Sequence, residues 1–156
     1  MKRLALFVLL GLASCGSKAP STTTTPDQGA SGSTATAVLP DVPFDSLDHE
    51  QRIEFMKQKV VPTMAPLFKN HDATKYAEFG CKTCHGEGAD AGHFDMPNAK
   101  LPVLDFGDMS TFKKEDIEWM GKDIKPAMAA LLKQPEMTRE NPKGFGCLGC
   151  HTMKTP

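Results

Sequence analysis

The stretch Phe79-Gly-Cys-Lys-Thr-Cys-His85 returns as Phe145-Gly-Cys-Leu-Gly-Cys-His151. Each copy sets two thiols three positions apart, with an imidazole directly after the second. Residues three apart share a face only on a short helical turn. The chain must therefore build such a turn twice and leave its sulfurs facing one way each time. Upstream, Ile53–Lys69 (IEFMKQKVVPTMAPLFK) and Ile117–Lys133 (IEWMGKDIKPAMAALLK) agree at a constant offset of 64, with eight identities in seventeen positions. The turns themselves are 66 residues apart. The folded part therefore reads as a duplication, with units at about 46–109 and 110–156 and two extra residues in the second connecting loop. Gly86 to Met109, rich in Pro and Gly, has no counterpart in the second unit.

Ile53, Met56, Val60, Met64 and Leu67 recur at steps of three and four, as do Ile117, Met120, Ile124, Met128 and Leu131. Each set makes one apolar helical face. Asp45 or Ser46 is the expected cap of the first helix and Ser110 or Thr111 that of the second. Pro62 and Pro126 fall inside the stripes at equivalent places, so both helices are expected to kink there. No stretch alternates as a strand does. The fold class is all-α, duplicated helix–turn–CxxCH units with long loops.

The chain opens with Lys2, Arg3 and an apolar run from Leu4 to Leu12. That run is shorter than the about 20 residues a spanning helix needs, so residues 1–14 read as an export signal. Leu12-Ala13-Ser14-Cys15 resembles a bacterial lipobox, which implies cleavage before Cys15 and acylation of its sulfur. An ordinary signal peptide is the alternative. Several acyl chains give stable anchoring. By resemblance to the enterobacterial sorting rule, Gly16 after the cysteine favours the outer membrane over the inner one. Residues 15–41 are then a lipidated Cys15 followed by a Ser/Thr/Gly/Ala/Pro tether, too poor in large apolar side chains to offset its ordering entropy. Its random-coil reach is roughly 25–30 Å. The folded domain is 42–156.

Five cysteines is an odd number, and a lipidated Cys15 leaves two complete pairs. Removing Lys2 and Arg3 from the 18 basic residues leaves 16 against 19 acidic ones, a formal charge of −3. Nothing in that balance suggests nucleic acid.

Two thiols flanking two residues, with His next, is the spacing of c-type haem attachment. Cys81 and Cys84 would hold one haem c with His85 as proximal ligand, and Cys147 and Cys150 a second with His151. A thioredoxin-like motif needs a βαβ context. Paired zinc knuckles lie about 15–20 residues apart, whereas 62 residues separate Cys84 from Cys147. Local disulfides give no reason for a following His.

The sixth iron ligand is expected from His or Met. His49, His71 and His93 lack counterparts in the other unit, whereas Met56 pairs with Met120 and Met64 with Met128. Met64 lies 17 residues before Cys81 and Met128 lies 19 before Cys147, enough for a helix to turn and bring the attachment turn back beside it. These two are the expected distal ligands. Met56 with Met120 is the alternative, and Met96 in Phe-Asp-Met-Pro-Asn competes for the first haem. Met153 stands too near His151 to reach the opposite face. A methionine on an apolar helical stripe is otherwise simply core.

Met64 to His85 and Met128 to His151 resemble the haem-binding unit of the photosynthetic reaction centre cytochrome subunit. That resemblance implies an all-helical, often lipid-anchored protein that passes electrons along a row of haems. It carries no implication of photosynthesis, since two units stand here where that subunit commonly has four. The expected function is a membrane-tethered dihaem carrier in the cell envelope, on the periplasmic side, serving redox partner proteins, with no small-molecule substrate. The alternative is a haem enzyme, of peroxidase or nitrogen-oxide reductase type, with one open iron site.

Overall fold

The structure, a computed structural model, describes residues 38–155. The expected signal, Cys15 and the tether up to residue 37 lie outside the described residues.

Two long helices carry the fold, each in three parts. The first is α1 (His49–Phe55), a π-helical turn (Met56–Val60) and α2 (Val61–His71). A short α3 (Cys81–His85) follows. The second long helix is α4 (Lys114–Trp119), a π turn (Met120–Ile124) and α5 (Lys125–Leu132). The two π turns stand 64 residues apart, the same offset as the sequence match. Among the described residues there is no strand, only isolated bridges.

Proline explains the π turns. Pro62 and Pro126 are each the second residue after the π turn ends. A proline ring clashes with the carbonyl four residues back and offers no N–H. Where a kink is expected, the chain widens by one residue just before the ring. The Val61 N–H donates to the Met56 carbonyl and the Lys125 N–H to the Met120 carbonyl, five residues back in each case. Such wide turns are rare as isolated features of helices, and here both long helices carry one.

The caps differ from expectation. The first helix is capped by Asp48, whose carboxylate accepts from the Gln51 N–H at 2.9 Å, while the Gln51 side chain accepts from the Asp48 N–H at 3.1 Å. This reciprocal pair satisfies two otherwise orphaned donors. Asp45 and Ser46 lie one turn too early and belong to a short 3-10 turn, Phe44–Ser46. The second helix starts at Lys113 with no side-chain cap; Ser110 and Thr111 precede it, and the Ser110 N–H is held by Asp108 at 3.0 Å.

The core lies between the long helices. Val60, Met64, Phe68, Trp119 and Ile124 are buried there, with Met56, Leu67, Met120, Met128 and Leu131 packed around them. α2 rests on the second π turn and α5 on the first, so the pairing is close to two-fold. Aromatic rings close one end: Phe68 meets Tyr76, Phe79 and Trp119 at 4.7–4.9 Å between centroids. His71 stacks flat on Trp119 at 3.9 Å, and its Nε2 lies 2.6 Å from Asp116. At the far end, Lys133 pairs with Asp41 and Gln134 with Asp45, fastening the entry segment to the end of α5. Among the described residues no helix is long and apolar enough to cross a membrane.

Candidate functional site

Both Cys-x-x-Cys-His stretches form the short turns their spacing demands. The first is α3, entered from Gly80, where the Thr83 N–H reaches the Gly80 carbonyl at 3.0 Å and its hydroxyl accepts from the Gly80 N–H at 3.1 Å. It stops at Gly86, whose φ of +67° is one that only glycine adopts without strain. The second is a 3-10 turn, Cys147–Gly149, extended by the His151 N–H to the Cys147 carbonyl at 2.9 Å. This turn is entered from Gly146, which Met137 approaches closely. A Cβ on it would lie 2.7 Å from the Met137 sulfur.

All four thiols are free. Burial pushes the Cys84 thiol up to about 12, with the neighbouring Cys150 and Cys81 adding to the rise. Burial, followed by Cys147, pushes Cys150 up to about 11. These thiols stay protonated at neutral pH, the opposite of the lowered pKa that marks a dithiol oxidoreductase. The second cysteines of the two turns are thus near enough to sense one another. No three His, Cys, Asp or Glu side chains converge on a metal position among the described residues.

The two imidazoles are held differently. His151 Nδ1 lies 2.9 Å from the Pro102 carbonyl, which makes Nδ1 the protonated nitrogen and leaves the Nε2 lone pair for a metal. His85 is half-buried with its ring edge-on to Phe94 at 5.3 Å. Its Nδ1 is buried with no hydrogen-bond partner. Burial lowers its pKa and favours the neutral ring, the form that coordinates iron.

One segment organises both turns, and it is the Pro/Gly-rich stretch without a counterpart. The Asn98 side-chain amide donates to the Cys84 carbonyl at 3.2 Å, and the Asn98 backbone N–H donates to the Cys150 carbonyl at 2.9 Å. Residues 150–154 then run parallel to 98–104. The Leu104 N–H donates to Thr152 at 2.9 Å and the Lys154 N–H to Leu104 at 2.8 Å. Leu104 is buried, and Lys154 Nζ pairs with Asp105 at 2.9 Å. Asn98 and Pro102 were not marked by sequence reasoning. Their one signal is the turn chemistry of Met-Pro-Asn, because backbone pairing across some fifty residues leaves no periodicity behind.

The expected distal ligands lie in the interhelical core. Met64 is 1% exposed and Met128 is half-buried against the same cluster, as are Met56 and Met120. The core borders the first turn through Phe79, two residues before Cys81, which packs on Phe68. Met96 is half-buried beside Asn98; His49 and His93 are exposed. Several exposed apolar side chains gather at the second turn: Met137 against Gly146, Leu148 between the two cysteines, and Met153 just beyond His151. They form the kind of apolar margin that a large flat ligand would cover. No protein-family model, curated protein or solved structure matches this chain, so the geometry of its own residues carries the functional reading.

Proposed function

We propose that the chain is a dihaem c-type cytochrome that carries electrons and is not itself an enzyme. Cys81 and Cys84 hold one haem and Cys147 and Cys150 the other, as thioethers, with His85 and His151 as the proximal ligands. When bound, haem supplies a one-electron iron couple. The residues do the rest. Free thiols stand three positions apart on each turn, the Pro102 carbonyl fixes the His151 ring, and burial favours the neutral form of His85. Met64 and Met128 are the proposed distal ligands. The two long helices with their shared offset are the duplicated halves of this unit.

The observation that carries the proposal is the pair of Cys-x-x-Cys-His turns with free thiols, brought side by side, one of them with its imidazole already in the coordinating tautomer. Cys15 as a lipid anchor would hold the domain at the periplasmic side of an envelope membrane, in reach of redox partner proteins. The formal charge of −3 favours partners with basic surfaces, and exchange that slows as salt rises.

The test is protein matured in a periplasm that attaches haem. Intact mass and a pyridine haemochrome assay are expected to count two covalent haems, and Cys147→Ser with Cys150→Ser to leave one. Colourless, exported protein overturns the proposal. The packing of Met64 and Met128 into the helix core favours weighing one alternative, an enzyme with an open iron site. Rapid carbon monoxide binding by the reduced protein would select it; a carrier with two thioether ligands binds slowly or not at all.

A further inference from the structure

We propose that Asn98 is the positioning residue that sets the spacing between the two attachment turns, and through it the interaction between the two redox sites. The inference rests on the dihaem reading and adds a determinant that neither signature contains.

Among the described residues Asn98 alone hydrogen-bonds both turns, and it does so at equivalent atoms. Its Nδ2 holds the carbonyl of Cys84 and its backbone N–H holds the carbonyl of Cys150, the second cysteine in each case. Its two other polar atoms are committed too: Oδ1 accepts from the Lys100 N–H at 2.8 Å and fixes the side chain's rotamer, and the backbone carbonyl accepts from the Leu101 N–H at 3.1 Å. The surroundings leave little slack. Gly86, directly after His85, lies close enough that a Cβ on it would touch Lys100 Cβ at 3.5 Å and Asn98 Nδ2 at 3.9 Å. Four residues beyond Asn98 of the Cys84–Asn98–Cys150 bridge, Pro102 holds His151. The anchoring cysteine and the imidazole of the second site are therefore referenced to the same short strip that grips the first site.

Two sites of changing charge interact with an energy that falls with distance and with the dielectric between them. Reduction of one then disfavours reduction of the other, and the titration of the pair spreads beyond that of independent sites. A brace that fixes the separation maintains this spread. Without it the second turn keeps its bond from the Asn98 backbone, but the first is released.

One variant is Asn98→Asp, which keeps the side chain's size and its acceptor for Lys100 but replaces the donor to Cys84 with a carboxylate oxygen and adds a negative charge, so it is read together with an uncharged variant. Asn98→Ala, which also loses the Lys100 contact, is the second variant. The wild-type protein is first shown to carry two haems; a failure there falls on the dihaem reading alone. Potentiometric titration of the holoprotein then gives the two midpoint potentials. In both variants, at unchanged haem count, the equilibrium constant that separates the two reductions is expected to fall by about threefold or more, read on the scale of 59 mV per decade for one electron. A purely structural role would lower the unfolding midpoint and leave that constant alone. An unchanged separation in both variants overturns the inference.

Discussion

Met64 is a core residue and, in the proposed reading, also an iron ligand, and substitutions can separate the two roles. It is the most completely buried large side chain of the described residues, set among Val60, Phe68, Trp119 and Ile124. Truncation to Ala removes packed volume from a core that two helices share, which typically costs about 2–5 kcal/mol. Leu keeps nearly the same volume, and such swaps usually cost less than about 1.5 kcal/mol. Met64→Ala is therefore expected to lower the denaturant midpoint strongly, and Met64→Leu to leave it close to wild type. The holoprotein adds the chemical half. If the thioether ligates iron, Met64→Leu abolishes the long-wavelength sulfur-to-iron band of that site while stability stays. A Leu variant that keeps the band leaves Met64 as core alone. Its burial was legible from the three-and-four spacing, as that of any stripe methionine is; ligation is not a property that spacing can express.

At the scale of elements, the helices were legible in their apolar faces and misread at their boundaries. The faces repeat locally and need only the chain itself. The first boundary depends on which of several polar residues closes a reciprocal pair, and the Asp48-x-x-Gln51 arrangement was passed over for the earlier Asp45 and Ser46. Asp48→Ala is expected to cost about 0.5–2 kcal/mol by urea unfolding. Ser46→Ala and Ser110→Ala, which remove no cap, should fall within about 0.5 kcal/mol of wild type. The prolines were placed correctly as disturbances, but their solution was not foreseen. A widened turn satisfies the same steric demand as a bend, and the residue pattern does not choose between them.

For the molecule as a whole, the long-range strip decides how the second turn is held. Asp105 lies well below the usual carboxylate range, first because of Lys154 and then because of the Gly107 N–H. A carboxyl group lowered on folding contributes stability that is in place above its unfolded pKa and is lost as pH falls through its folded pKa. Protection of the Leu104 and Lys154 amides against hydrogen exchange is thus expected to hold at neutral pH and to fall in acid, below the ordinary carboxylate pKa, before the helix core yields. Lys154→Gln should remove most of that dependence. Protection that stays flat into acid in the wild type would contradict it. None of this was visible in the sequence. The residues 98–104 and 150–154 pair through backbone atoms, which every residue shares, and the stretch that looked like an unmatched insertion is the seat of the second turn.

The brace has an unequal reach along the chain. Asn98 finds Cys84 only 14 residues away, whereas His151 must meet Pro102 across 49. Closing the longer loop carries the larger entropic penalty, and contacts of high sequence separation form slowly. Folding therefore has a built-in order. A chain stopped midway would hold its first thiol pair in a finished turn while the second still swung free.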